Sequence, residues 1–300
     1  MIETTRMDLA ELSQVIERSG GRSGALEYAE ALLQKISRLE ATGGYGQLFK
    51  QLSSSREQGD FRGRVLEVNF ADLFQRNGQH LVYGARQGMT GDIDFLWRVD
   101  GLEVFIEMKL LRQDKASLDA MNLQLEAGGV YASHVTDDTR DIGRMQLDLI
   151  SKAGTTKFNP QPQAGWINLV AIDVTELQLG MVDVADCVLA AAGNREVQHF
   201  YPDSPYTRPN VVGFFEKPAE ATLTEEQRNW LTAMHRPNSA APHPRDYLHG
   251  ALFLFRHPKD TAALSYELNA VLVWNRLLVA HEKAVRIYEA MRPFLPYKPG

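Results

Sequence analysis

Residues 92–111 read DIDFLWRVDGLEVFIEMKLL, two alternating apolar runs joined by Asp100-Gly101. Asp-Gly suits a two-residue type I′ turn, because both central positions need positive φ, which glycine adopts freely and aspartate tolerates. With these two residues as the loop, Val99 faces Leu102, Trp97 faces Val104 and Phe95 faces Ile106. Further out, Asp94 faces Glu107 and Asp92 faces Lys109. Side chains alternate along a strand, so Ile93, Phe95, Trp97 and Val99 share a face with Leu102, Val104, Ile106, Met108 and Leu110. That face is wholly apolar and belongs to a core. The opposite face carries Leu96 and Phe105 near the turn, then the charged quartet Asp92, Asp94, Glu107 and Lys109.

Like charges directly opposite destabilise a sheet, since facing Cβ atoms lie about 4.5–5.5 Å apart. A divalent cation between Asp94 and Glu107 resolves the repulsion, and Mg²⁺ or Mn²⁺ suits two convergent carboxylates completed by water and a substrate phosphate. Lys109 then orients the attacking water or stabilises charge on the phosphate. The plainer alternative is a solvated outer face on which Lys109 pairs with Asp92 and Glu107.

Outward from the hairpin, residues 7–40 have helical spacing on both sides of the break SGGRSG, through Leu9, Leu12, Val15 and Ile16, then Leu26, Ala29, Leu32, Leu33 and Ile36. The polar stretch QLSSSREQGD separates them from a third helix capped by Asp60 and ended at Asn77-Gly78, with Val65, Leu66, Phe70, Leu73 and Phe74 inward. HLVYG (80–84) is a strand ahead of the hairpin. A long polar segment follows the hairpin, then a helix over 138–153 and the buried strand WINLVAIDV (166–174). Beyond 175 the pattern predicts a helix over 181–192, a strand VVGFF (211–215) and a helix opened by the capping pair Thr224 and Gln227. After these come the proline-rich loop RPNSAAPHPRD, a strand ALFLFRH (251–257) and a terminal helix over 277–292, with 262–276 open between strand and helix.

This order is that of an α/β fold: a central mixed β-sheet flanked by helices, with a helical prefix (1–60), a core (61–175) and an α/β C-terminal extension (176–300). A chain of 300 residues, 44% of them hydrophobic, can bury such a core. The net charge of −6 argues against coating nucleic acid by bulk electrostatics, so a polyanion must meet a local basic surface. Candidates are Arg62, Arg64, Arg86, Arg112, Lys115, Lys152 and Lys157. The single cysteine, Cys187, lies in an apolar run and reads as a buried structural thiol. No apolar stretch is long enough to span a membrane, and a cytoplasmic protein is expected. His243, His249 and His257 form no metal-ligand pair at helical spacing.

Gly91-Asp92-Ile93-Asp94 followed by Glu107-Met108-Lys109, with Glu67 on the preceding helix, resembles the PD-(D/E)xK nuclease superfamily, the restriction-endonuclease-like fold. The resemblance spans residues 61–174 and lacks the proline of the namesake motif. It implies that Asp94 and Glu107 are metal ligands, that the Met108 carbonyl is a further ligand, and that Lys109 orients water. It also implies that Glu67 reaches the metal through water or places a second ion, and that Gln146 on the following helix approaches the site. The expected activity is Mg²⁺- or Mn²⁺-dependent cleavage of nucleic acid, with DNA favoured. The rivals are a catalytically silent nucleic-acid- or protein-binding module of the same fold, and an assembly protein whose terminal helices meet a homo-oligomeric or other protein partner.

Overall fold

A computed structural model describes residues 8–18, 25–113, 115–127, 138–154, 157–177, 182–200, 208–235, 242–256 and 268–293. Ten α-helices and six strands form among them. The helices are α1 (Leu9–Arg18), α2 (Ala25–Thr42), α3 (Gly46–Ser54), α4 (Gln58–Arg76), α5 (Lys115–Glu126), α6 (Asp138–Lys152), α7 (Val184–Ala192), α8 (Asn194–Phe200), α9 (Glu225–His235) and α10 (His281–Met291). The strands are β1 (Leu81–Ala85), β2 (Ile93–Val99), β3 (Leu102–Arg112), β4 (Trp166–Glu176), β5 (Gly250–Arg256) and β6 (Leu268–Trp274). They make one mixed sheet in the order β1-β2-β3-β4-β5-β6. The centre β3-β4-β5 is parallel, and the outer pairs are antiparallel. The fold is α/β, with helices on both faces of a mixed sheet.

The two faces hold separate cores. Phe95, Trp97, Val104, Ile106 and Met108 pack with α4 (Phe70, Phe74), α1 and α2 (Leu12, Ile36) and α10 (Ile287). Leu96 and Phe105 pack on the other face with Ile142, Met145 and Leu149 of α6 and with Cys187 and Val188 of α7. Strand β4 is apolar throughout because it serves both: Ile167, Leu169 and Ala171 join the first core, and Val170, Ile172 and Val174 the second. The N-terminal helices and the C-terminal strands thus complete the same two cores as the hairpin.

The hairpin register is as expected over its turn-proximal half: Val99 pairs with Leu102, Arg98 with Glu103, Trp97 with Val104, Leu96 with Phe105 and Phe95 with Ile106. Asp100 (φ 48°) and Gly101 (φ 74°) both take the positive φ of a type I′ turn.

Several expectations are corrected. Residues 211–215 are not a strand. The sheet's order leaves them outside it, and Phe214 and Phe215 N–H donate instead to Ala190 and Ala191 carbonyls at the end of α7, at 2.9 and 2.8 Å. Asp60 lies in the first turn of α4, while Glu57 holds the N-cap position. Two helices intrude on stretches read as polar: α3, which buries Leu48, Phe49 and Leu52, runs into the start of QLSSSREQGD, and α5 lies in the segment after the hairpin. Residues 268–274 form β6, so the terminal helix starts only at His281. Residue 181, the 236–241 part of the proline-rich loop, His257 and residues 262–267 lie outside the described residues.

Candidate active site

The site lies where the β1-β2-β3 meander loses its regularity. Tyr83 and Phe95 pair and pack towards the first core, yet Ala85 and Ile93, two residues on along each strand, pack into the second. Ideal alternation would keep each such pair on one face. The intervening residues are Gly84, with φ +69°, and Asp94. A glycine is needed at Gly84 because a side chain there would be strained in the left-handed region. The kink turns Asp94 inward, and its Oδ2 accepts the Met108 N–H at 2.7 Å.

Glu107 projects from β3 towards α6 and is fully buried. Its Oε1 accepts from Lys152 Nζ at 2.8 Å and from Lys157 Nζ, while its buried Oε2 has no hydrogen-bond partner. Glu67 is buried on α4, where Arg64 Nη1 donates to both its oxygens at 2.7 and 2.9 Å. The Tyr83 hydroxyl lies 2.9 Å from Glu67 and 2.8 Å from Gln51 Oε1. Lys109 Nζ is 3.2 Å from Asp148 Oδ1 on α6.

Burial dominates the electrostatics of the site. Burial, then repulsion from Glu107 and Glu67, pushes Asp94 up to about 7 against the pull of Lys152 and the Met108 amide. Glu67 is raised chiefly by burial, with Arg64 and Tyr83 opposing. Burial also raises Asp148 against the attraction of Lys109, and raises Tyr83 with help from Glu67. Burial pulls Lys152 down, but Glu107, Asp94 and Glu67 together lift it above its ordinary value.

The predicted residues are therefore only partly gathered. Asp94, Glu107 and Glu67 share one electrostatic environment, and Met108 enters it through its amide. Lys109 points to Asp148. The expected Asp92–Lys109 pair is absent among the described residues: Asp92 precedes β2 and pairs with exposed Arg86. Gln146 does not approach the site. It is fully buried, donates to the Ala190 and Val212 carbonyls at 2.8 Å each, and accepts from Trp230 Nε1 at 3.0 Å. It ties α6 to α7, α9 and the 211–215 segment. Sequence reasoning missed Tyr83, Gln51 and Asp148. Asp148 alone left a signal, as an acid four residues before Lys152 on the predicted helix.

Lys109 and Asp148 open into a cleft of about 800 Å³ at the C-terminal ends of the parallel strands β3 and β4. Arg62, Arg112 and Arg144 line it as well. Such crevices are where open α/β sheets bind ligands. Of the expected basic path, Arg62 and Arg112 are here, with Arg62 paired to Glu176 at 2.6 Å on the same wall; Arg64 is held by Glu67, Arg86 by Asp92, and Lys152 and Lys157 by Glu107. The Lys115 side chain lies outside the described residues.

Among the described residues, no three His, Cys, Asp or Glu side chains gather as a ready-made metal cluster. The donors that do converge still fit Mg²⁺ or Mn²⁺. An unpartnered buried carboxylate oxygen on Glu107 stands near Asp94, whose charge the site disfavours in the ion's absence. These are hard oxygen donors, and Mg²⁺ takes one or two carboxylates and keeps several waters. Compared with protein-family models, curated proteins and solved structures, the chain matches none.

Proposed function

We propose that the chain is a metal-dependent nuclease that hydrolyses phosphodiester bonds, with DNA the expected substrate and the cytoplasm the expected setting. The observation that carries the reading is the buried Glu107, with one oxygen unpartnered, beside an Asp94 whose charge is suppressed, next to a cleft lined by Lys109, Arg62, Arg112 and Arg144. Asp94 and Glu107 would hold Mg²⁺ or Mn²⁺, with the Met108 carbonyl as the further ligand that the resemblance implies. When bound, the ion supplies Lewis-acid stabilisation of phosphate charge and lowers the pKa of its water. Glu67, fixed by Arg64 and Tyr83, would reach the ion through such a water, as the resemblance implies. Lys109 stabilises charge building on the phosphate or orients the attacking water. The cleft arginines would meet neighbouring phosphates by exchanging their present carboxylate partners, Glu176 for Arg62 and Asp141 for Arg144, and such contacts position the strand without reading its sequence.

One observation favours a second reading. Lys152 and Lys157 already neutralise Glu107 without any ion, as a silent nucleic-acid- or protein-binding module of the same fold would require. The deciding experiment incubates the protein with plasmid, linear duplex, single-stranded DNA and RNA in Mg²⁺, Mn²⁺ or EDTA, beside calorimetric titration with Mn²⁺ alone. Cleavage that requires the divalent ion, with saturable Mn²⁺ binding, is expected. Binding of nucleic acid with no cleavage in either metal would establish the silent module instead.

A further inference from the structure

Helix α6 carries Asp148 and Lys152 four residues apart, and their charges complement those of Lys109 and Glu107, two residues apart on β3. Lys152 Nζ meets Glu107 at 2.8 Å and Lys109 Nζ meets Asp148 at 3.2 Å. The spacings match: two strand residues advance about 6.6 Å, and four helical residues about 6 Å. A helix running back along the strand can therefore brace both groups at once. Two cations of α6 are engaged elsewhere: Arg144 bonds Asp141 and the Arg112 carbonyl, and Lys152 bonds Glu107. Among the described residues, Lys109 is the direct ion-pair partner of Asp148.

Resting on the nuclease reading, we propose that Asp148 is a positioning residue that aims the Lys109 ammonium at the phosphate in the cleft. Its Oδ1 holds Lys109, while its Oδ2 is buried with no hydrogen-bond partner. Burying a half-satisfied carboxylate costs free energy that an exposed surface pair would not incur, which favours a role beyond surface charge balance. Lysine has four flexible methylenes and would otherwise sample many rotamers. A carboxylate fixed on a helix selects one direction and holds the ammonium at the cleft wall, two residues along β3 from Glu107.

The test is single-turnover cleavage at saturating protein in Mn²⁺ for wild type, Asp148→Asn, Asp148→Glu, Lys109→Ala and the double variant Asp148→Asn/Lys109→Ala. Mn²⁺ affinity is measured on each by calorimetry. Asp148→Asn should lower the saturated rate by about 10- to 100-fold, the usual loss for an outer-shell partner, and leave Mn²⁺ affinity unchanged. Adding it to Lys109→Ala should cost nothing more, because both remove one interaction. Asp148→Glu keeps the charge and should restore part of the rate. A wild-type rate for Asp148→Asn, a full additive loss in the double variant, or lost Mn²⁺ binding would each overturn the positioning role. Should Asp148→Asn fail to fold, Asp148→Glu carries the test, with a reduced rate supporting the role and an unchanged one overturning it. With an active wild type, these failures leave the nuclease reading standing. A wild type that cuts nothing removes both.

Discussion

Near its turn the β2–β3 hairpin pairs regularly from Val99–Leu102 to Phe95–Ile106, with apolar residues buried on both faces. At its far end, Asp94 takes the Met108 amide, Ile93 crosses to the other core, and Glu107 finds its counter-charges on α6 and the loop after it. The two ends obey different physics. Where both faces can be buried, turn chemistry and alternation suffice to set the geometry. Where charges must be buried, the geometry is decided by whichever distant groups can neutralise them.

That contrast is broken most severely by neutralising the two carboxylates. Asp94→Asn and Glu107→Gln should each lower saturated cleavage by at least about 100- to 1000-fold, the scale of losing one electrostatic stabiliser. Both should also lose the heat of Mn²⁺ binding. Their stabilities without metal should diverge. Asp94→Asn relieves repulsion from Glu107 and Glu67 and should melt at or above wild type. Glu107→Gln strips Lys152 and Lys157 of their carboxylate and should cost about 1–3 kcal/mol. Sequence alone predicts relief of repulsion in both variants, because α6 is invisible from the hairpin. Equal melting temperatures for the two would erase the distinction between them.

A smaller effect is the pH dependence of the metal-free protein. Asp94 has its folded pKa raised to about 7, well above the ordinary aspartate range, so the fold favours the protonated carboxyl. A raised pKa contributes stability that is fully present below the unfolded value and is lost as pH rises through the folded one. The metal-free melting temperature should therefore fall between pH 4 and pH 7, by an amount corresponding to a few kcal/mol from Asp94. Glu67 and Asp148, also raised, act in the same direction. Asp94→Asn should flatten the slope, and Mn²⁺ should offset it by binding the ionised form. A melting temperature that climbs steadily from pH 4 to pH 7 would contradict an Asp94 whose burial favours the protonated carboxyl.

How much of this was legible in the sequence follows the same divide. Asp100-Gly101 and the alternating runs disclosed five register pairs, and the apolar spacing of α4, α6 and β4 disclosed their buried faces. The pairing of Lys109 was not legible, because its partner Asp148 arrives from a helix 39 residues later in the chain (148 − 109). Gln146 looked like a polar residue free to reach a site. It is instead consumed by backbone carbonyls near 190 and 212, whose proximity only the tertiary fold creates. The run 211–215 has strand composition but spends its amides on the end of α7, and composition cannot say which acceptors a segment will meet.

The smallest expected effect concerns Asp92, and it probes where the site ends. Register extended rigidly outward would put Asp92 opposite Lys109, inside the charged quartet. The chain instead leaves the strand at Asp92, whose carboxylate pairs with exposed Arg86; hydrogen bonding to Arg86 lowers its pKa despite a small opposing cost of desolvation. An exposed pair of this kind gains little, because water screens both charges and two side chains lose freedom to form it. Asp92→Ala should therefore leave melting temperature, Mn²⁺ affinity and cleavage rate unchanged within error, in contrast to Asp94→Asn two residues away. Melting curves, Mn²⁺ calorimetry and single-turnover rates on the two variants side by side make the comparison direct. If Asp92→Ala weakened Mn²⁺ binding as Asp94→Asn does, the kink at Gly84 and Asp94 would no longer mark the boundary of the site, and Asp92 would belong among its ligands.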